Sequence, residues 1–294
     1  MSKYLAPTSD VVFKKIFGRH PHLLKSFLNA LLPLEEGREI IHIDYLPSEQ
    51  VPEIPEFKRT IADVLCKDQT GRHFIVEMQI AWVNNFKPRL AFETSKAFSR
   101  QITTGEDYCL LQPVYGLGLI GESFDPRPNA WYHHFKFMNT DVNPHDSMDY
   151  LHLIFVELPK VPLISSERKK LGILWLRFMR EINEKTKQVS PELLAIPEIS
   201  EAIQLSEEAA YSPHELRYYE SYWDEIRRVN ALVNGGVERG EARGKIEGRA
   251  EGLEKGALKA KQEIAVKMLS RGIDLSEITE LTGLSKEEIQ NLIQ

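Results

Sequence analysis

The sequence predicts an α/β fold: a mixed β-sheet between layers of helix, followed by a helical C-terminal extension. Three features predict it. Stretches with strand character fall between residues 40 and 158, amphipathic helical segments lie before and among them, and from residue 165 onward the pattern is helical.

Length and composition bound the rest. The 294 residues, 42% hydrophobic, suit one large or two smaller domains. No apolar run approaches the roughly 20 residues that span a bilayer, and Met1 to Pro7 lacks the apolar region of a signal peptide. A cytoplasmic chain with no membrane partner is expected. The two cysteines, Cys66 and Cys109, have no C-x-x-C spacing, so both read as packing residues. The net charge of −6 argues against broad binding to nucleic acid but leaves room for a local basic groove.

Thr8, Ser9 or Asp10 can cap a first helix that buries Phe13, Ile16 and Phe17 and closes at Gly18. A second helix, His22 to Leu32, carries Leu23, Leu24, Phe27, Leu28 and Leu31 on one broad face and stops at Pro33. Ile40 to Leu46 alternates as a first strand. Pro47 to Pro55 holds three prolines and reads as a loop.

Thr60 to Lys67, a polar turn over Asp68 to Arg72, and His73 to Ile80 then form a strand, a tight connection and a strand. With the turn centred on Thr70, Asp63 stands directly opposite Glu77, where Cβ atoms lie about 4.5–5.5 Å apart. Two carboxylates so close can hold one hard cation and repel one another without it. The other reading is two solvent-facing acids on a half-exposed hairpin. Asp63 weighs against that, because it interrupts an apolar run and Asp is depleted in strands.

Pro88 to Thr103 is helical, with Leu90, Ala91, Ala97, Phe98 and Ile102 toward the sheet. Arg89, Glu93, Lys96 and Arg100 recur at three- and four-residue steps as a basic stripe with one acid in it. Such a stripe reads by default as a solvated surface. Val114 to Ile120 is continuously apolar, as in a strand buried on both faces, and its Gly-x-Gly is no dinucleotide fingerprint. Trp131 to Met138 and Leu151 to Leu158 are further strands. His133 and His134 point to opposite faces, which argues against a joint metal site and reads them as half-buried strand residues. From Ser165 to about Val233 the helical pattern is divided by Pro191, Pro197 and Pro213.

Asp63, thirteen residues, then Glu77-Met78-Gln79 resembles the D…ExQ variant of the PD-(D/E)XK nuclease site found in the recombination-promoting nuclease and transposase family. Thr8 to Gly18, Arg89 to Gln101, Gly105 to Tyr108 and the strand ending Val156-Glu157-Leu158-Pro159 are similar to further blocks of that family. The resemblance implies a restriction-endonuclease-like α/β/α sandwich over residues 1–162, followed by a helical extension over 163–233. It also implies a DNA partner and a metal-dependent DNA endonuclease, with Asp63 and Glu77 on Mg²⁺, or Mn²⁺ or Ca²⁺ in its place. Gln79 stands where the commoner motif has Lys and brings no positive charge, so a cation such as Arg89 is needed nearby. Asp10 would lie at the mouth of the site, Arg89, Lys96 and Arg100 would face phosphates, and Gln101 would support the site. A catalytically weak or inactive binding module and a transposase-type strand transferase are the alternatives.

Residues 234–262 hold glycines at every fourth position from Gly236 to Gly256. Each costs a helix about 1 kcal/mol relative to Ala, while Glu–Lys and Arg–Glu pairs return only about 0.2–0.5 each. Close approach of a second copy can supply the difference, which makes the stretch a self-association helix and the chain a homo-oligomer; a charged linker is the other reading. Residues 263–294 look like three short helices with capping boxes at Asp274-x-x-Glu277 and Ser285-x-x-Glu288 and a stop at Gly283. The spacing resembles a helix-turn-helix, although Lys286 to Asn291 carries two acids against one Lys, poor chemistry for approaching phosphates, so a small packing or partner module is the other reading.

Overall fold

A four-residue connection sets the register of the sheet. The structure is a computed structural model and describes residues 3–47, 49–50, 60–141, 147–162 and 170–292. The main sheet begins with β1 (Ile43–Tyr45), which pairs with β4 (Val64–Asp68). Between them in sequence, β2 (Glu49–Gln50) and β3 (Thr60–Ile61) form a separate two-stranded ribbon. β4 and β5 (His73–Gln79) are antiparallel, with Val64 opposite Val76 and Lys67 opposite His73, the register of a turn centred on Thr70.

Asp68 holds that turn. Its Oδ1 accepts from the backbone N–H of Thr70 (2.9 Å) and Arg72 (3.0 Å), and its Oδ2 from Arg72 Nε (2.7 Å), while Gly71 sits at φ +86°. Asp68 and Arg72 are therefore a buried ion pair rather than part of an exposed polar turn.

Two strand expectations change. The arm read as continuous from Thr60 breaks at Ala62–Asp63, because Thr60 and Ile61 pair with Gln50 and Glu49 instead. The first strand is shorter than Ile40 to Leu46, since the backbone N–H groups of Ile41 and His42 donate to the Gln69 side chain rather than to a neighbouring strand. Within the loop reading from Pro47 to Pro55, Pro47 has no regular structure, Glu49 and Gln50 are strand, and residues 48 and 51–55 lie outside the described residues.

β6 (Val114–Ile120) runs parallel to β5 and to β8 (Ser147–Glu157), and β7 (Tyr132–Met138) is an antiparallel edge, giving the order β1-β4-β5-β6-β8-β7. One face is covered by α1 (Asp10–Phe17), α2 (Pro21–Leu31), α4 (Lys170–Glu181), α5 (Pro191–Leu194) and α6 (Pro197–Leu205). Trp175 stands at its centre, its ring 5.7 Å from those of Phe17 and Phe27. The other face is covered by α3 (Phe86–Ser99), over Leu65, Ile75 and Phe155. Helix, mixed sheet and helix are the layers of a restriction-endonuclease-like α/β fold. Among the described residues, no helix is long and apolar enough to cross a membrane.

The Gly-x-Gly of β6 has a packing role. A Cβ on Gly116 would lie 2.5 Å from Thr94 Oγ1, and one on Gly118 would lie 2.8 Å from the Phe86 ring. The missing side chains let α3 sit directly on β6. α3 starts earlier than expected, at Phe86, and ends at Ser99, and its buried residues are Phe86, Leu90, Glu93, Thr94 and Ala97. Glu93 thus faces the sheet and is not part of an exposed stripe.

Other local readings are also corrected. Ser9 occupies the cap position of α1, but its hydroxyl donates back to Ala6 O (2.9 Å) instead of capping. Cys66 is a packing residue, whereas Cys109 is exposed. Pro191, Pro197 and Pro213 each stand at the first position of a helix, α7 (Pro213–Leu269) being the last. The reading of residues 165–169 as helix lies outside the described residues.

The chain forms two compact units, residues 1–223 and 224–294, the boundary falling within α7. In the first, α4 to α6 and Tyr211 and Tyr219 share the core of the sheet. In the second, the end of α7 packs with α8 (Leu275–Thr282) and α9 (Lys286–Asn291) around Ala265, Ile278, Leu284 and Ile289. Ser285 and Glu288 form a reciprocal capping box. Asp274 caps α8 by accepting from Ser276 N–H (3.0 Å), where a box with Glu277 was expected. Gly283 ends α8 at φ +70°.

Candidate functional site: paired acids at the end of the central hairpin

The break at Ala62–Asp63 places Asp63 at the mouth of the hairpin, opposite Glu77. The two acids grip one another's backbone. Glu77 Oε1 accepts from the Asp63 N–H (3.1 Å), and Asp63 Oδ2 accepts from the Met78 N–H (2.8 Å). Backbone amides thereby fix both carboxylates before any ligand arrives. Each has one further oxygen, and a cation from a different helix meets it. Lys14 Nζ of α1 lies 3.6 Å from Asp63 Oδ1 and 2.6 Å from Asp10 Oδ1. Arg89 of α3 lies 3.4 Å from Glu77 Oε2 and donates to Gln79 Oε1 at 3.0 Å.

The pair is deeply set, with side chains 19% exposed for Asp63 and 6% for Glu77. Burial pushes the Glu77 carboxyl up to about 8, reinforced by the charges of Asp63 and Glu93 and opposed by Arg89. Burial also raises Asp63, with Asp10 adding to the rise and the Met78 N–H and Lys14 working against it. Lys14 is lowered by burial but raised more by Asp10 and Asp63, so its net shift is upward. The site therefore has more negative charge than its cations satisfy.

The structure brings Asp10, Asp63, Glu77, Gln79 and Arg89 together. Lys96 and Arg100 lie further along α3, where Lys96 interacts with Glu93 and Arg100. Gln101 is elsewhere: its side chain clamps the backbone of Gln112, with two bonds of 2.8 Å, before the start of β6 and at the opposite end of the sheet from Glu77. Three residues at the site escaped the sequence reading. Lys14 was detectable, since Asp10 and Lys14 are spaced as a helical ion pair. Glu93 was counted with the surface stripe. Tyr222, from the start of α7, is raised by burial and by the charges of Asp10 and Asp63, and its distance in sequence leaves no local signal.

Chemically the donor set is hard and anionic, which suits a divalent cation. Among the described residues, no three His, Cys, Asp or Glu side chains already form a coordinating cluster; Lys14 meets the free oxygen of Asp63 and Arg89 that of Glu77. The fit therefore rests on the two opposed carboxylates, each held by a backbone N–H, and on their excess charge.

A mixed sheet flanked by helices, with an acid pair at the end of its central hairpin, defines a protein of the PD-(D/E)XK nuclease class. Residues 7–231 match the family described as PD-(D/E)XK nuclease family transposase, and the chain belongs to that family. Residues 258–294 match the C-terminal helix-turn-helix domain of the Rpn/YhgA-like nuclease family. No curated protein and no solved structure matches the chain. Nucleases of this class typically use divalent metals.

Proposed function

We propose that the protein is a divalent-metal-dependent DNA endonuclease serving recombination or a mobile element, with Asp63 and Glu77 as the residues that hold the ion, Mg²⁺ by choice. The observation that carries this is the reciprocal bonding of the two acids through the backbone of Asp63 and Met78. A divalent ion at such a pair supplies Lewis acidity toward a phosphate and makes water a better nucleophile.

The protein's own groups do the rest. Asp63 and Glu77, once deprotonated, would hold the ion, and Lys14 and Arg89, which meet their free oxygens, would lie beside the phosphate. Arg89 holds Gln79 by its carbonyl, which turns the Gln79 amide outward as a donor to water or to a phosphate oxygen. Asp10 keeps Lys14 within reach of the site, and Lys96 and Arg100 extend the positive face along α3 for the DNA backbone. The helix-turn-helix unit docks on DNA as well. In α7, a Cβ on any glycine from Gly236 to Gly256 would meet nothing within 4 Å, so the fold itself does not require them; a second copy of the chain is the partner this helix suits. Deleting residues 236–256 lowers the solution mass on this account, and an unchanged mass sinks it.

Supercoiled plasmid is nicked with Mg²⁺ and not with EDTA, and both Asp63→Ala and Glu77→Ala abolish nicking. A second reading draws on Gln79, whose carbonyl is engaged by Arg89 with no lysine in its place: a nuclease fold that binds DNA or a partner without cutting. Gel shifts by a protein inert with Mg²⁺, Mn²⁺ and Ca²⁺ would favour it. Joining of labelled oligonucleotide ends would instead identify strand transfer, the activity in the family's transposase description.

A further inference from the structure

The face of the sheet opposite Glu77 carries a row of four rings on adjacent strands: Phe74 of β5, Tyr115 of β6, His152 of β8 and His134 of β7. Backbone register creates the row, since Phe74 pairs with Tyr115 and Tyr115 with His152. Ring centroids are 5.5, 4.3 and 5.2 Å apart and the planes differ by only 17°, 7° and 21°. The row ends at His134, which is exposed on the edge strand. Beside it opens a cavity of about 310 Å³, bounded by Tyr115, His134, His152, Arg38, Arg72 and Lys136. One water occupies about 30 Å³ of liquid, so the cavity exceeds the needs of a single bridging water.

Two independent features point to an occupant. His152 is only 5% exposed; its Nδ1 is bonded to His134 Nε2 (2.9 Å), while its Nε2 is buried with no hydrogen-bond partner. The walls also carry three cations against the carboxylates of Glu35 and Asp149. Arg38 lies 3.2 Å from Glu35 and Lys136 lies 3.3 Å from Asp149, whereas Arg72 is neutralised from outside the cavity by Asp68. A stacking platform, cations and a buried orphan nitrogen together suit a planar ring joined to an anion.

We propose that this cavity binds a nucleotide, its base stacked on the exposed end of the ring row at His134, its phosphate on Lys136 and Arg38, and a polar atom on His152 Nε2. The site is on the other face of the sheet and at the other end of β5 from Glu77, and it does not depend on Asp63 and Glu77 cutting DNA. The nucleotide is either free or the 5′ end of a single strand; the two share this chemistry.

Calorimetric titration of the full chain in EDTA, which keeps metal out of the acid pair, tests it with four probes: dAMP, deoxyadenosine, inorganic phosphate and a 5′-phosphorylated single-stranded oligonucleotide. dAMP or the oligonucleotide binds at least about tenfold more tightly than deoxyadenosine or phosphate, and Lys136→Gln and His152→Leu each weaken that binding about tenfold. Binding of dAMP identifies a free nucleotide; binding of the oligonucleotide alone identifies a strand end. Three results overturn the proposal: no binding by any probe, phosphate as tight as dAMP, or nucleotide binding unchanged in the variants. Should His152→Leu fail to fold, Lys136→Gln, at a part-exposed surface position, carries the test alone.

Discussion

Glu77→Gln replaces a buried ionisable carboxyl with a neutral group of the same shape, and its effect depends on pH. Folding raises the Glu77 carboxyl from 4.5 to about 8, so between those values the native state holds a proton that the unfolded chain has lost. Stability linked to this proton is fully present below pH 4.5 and is lost as pH rises through 8. Each pH unit in the window costs about 1.4 kcal/mol, or roughly 4 kcal/mol from pH 5 to pH 8. Asp63, also raised, adds in the same direction. Urea unfolding in EDTA at four pH values gives the comparison. His73, His134 and His152, all lowered mainly by burial, change stability in the opposite sense in both proteins and cancel in the difference. Wild type loses stability relative to the variant as pH rises, even though the Gln amide, facing Arg89, leaves the variant the weaker of the two at pH 5. A difference that is constant from pH 5 to pH 8 would refute the reasoning.

Arg89→Gln removes the cation that holds both Glu77 and Gln79, and the rate of plasmid nicking falls about tenfold or more, a barrier change of about 1.4 kcal/mol or more. Gly118→Ala drives a methyl group to within 2.8 Å of the Phe86 ring and lowers stability to urea by about 1–3 kcal/mol. Gly244→Ala meets nothing within 4 Å; circular dichroism shows the α7 helix more resistant to melting by up to about 1 kcal/mol, while sedimentation shows self-association weakened. Ser285→Ala breaks the capping box of α9 and destabilises the helix-turn-helix unit by about 1 kcal/mol on thermal melting.

The parts of the fold set by local periodicity were legible. Val114 to Ile120 is apolar at every position and is the central strand, and the connection around Thr70 predicted the register that opposes Asp63 and Glu77. What failed was decided across the fold. Ala62–Asp63 breaks because a second ribbon takes Thr60 and Ile61. Asp68 and Arg72 look like surface turn residues until the chain closes over them as a pair. Glu93 shares the spacing of Arg89 and Lys96, and only the seating of α3 on Gly116 and Gly118 turns it inward. At the site, the two hairpin acids were readable because sequence neighbours present them; Lys14 was readable as a partner of Asp10 but meets Asp63 only through the tertiary structure, and Tyr222 arrives from an element that only the tertiary structure joins. Gln101 matched a similar block of residues, but Gln112 holds it at the far end of the sheet.

Binding of Mn²⁺, followed by electron paramagnetic resonance at pH 8, tests most directly whether the hairpin acids are the ion's ligands. The account predicts that the wild-type protein takes up Mn²⁺, more weakly at pH 6 where Glu77 keeps its proton, and that Asp63→Ala and Glu77→Ala each abolish uptake. Undiminished Mn²⁺ binding by both variants would contradict it.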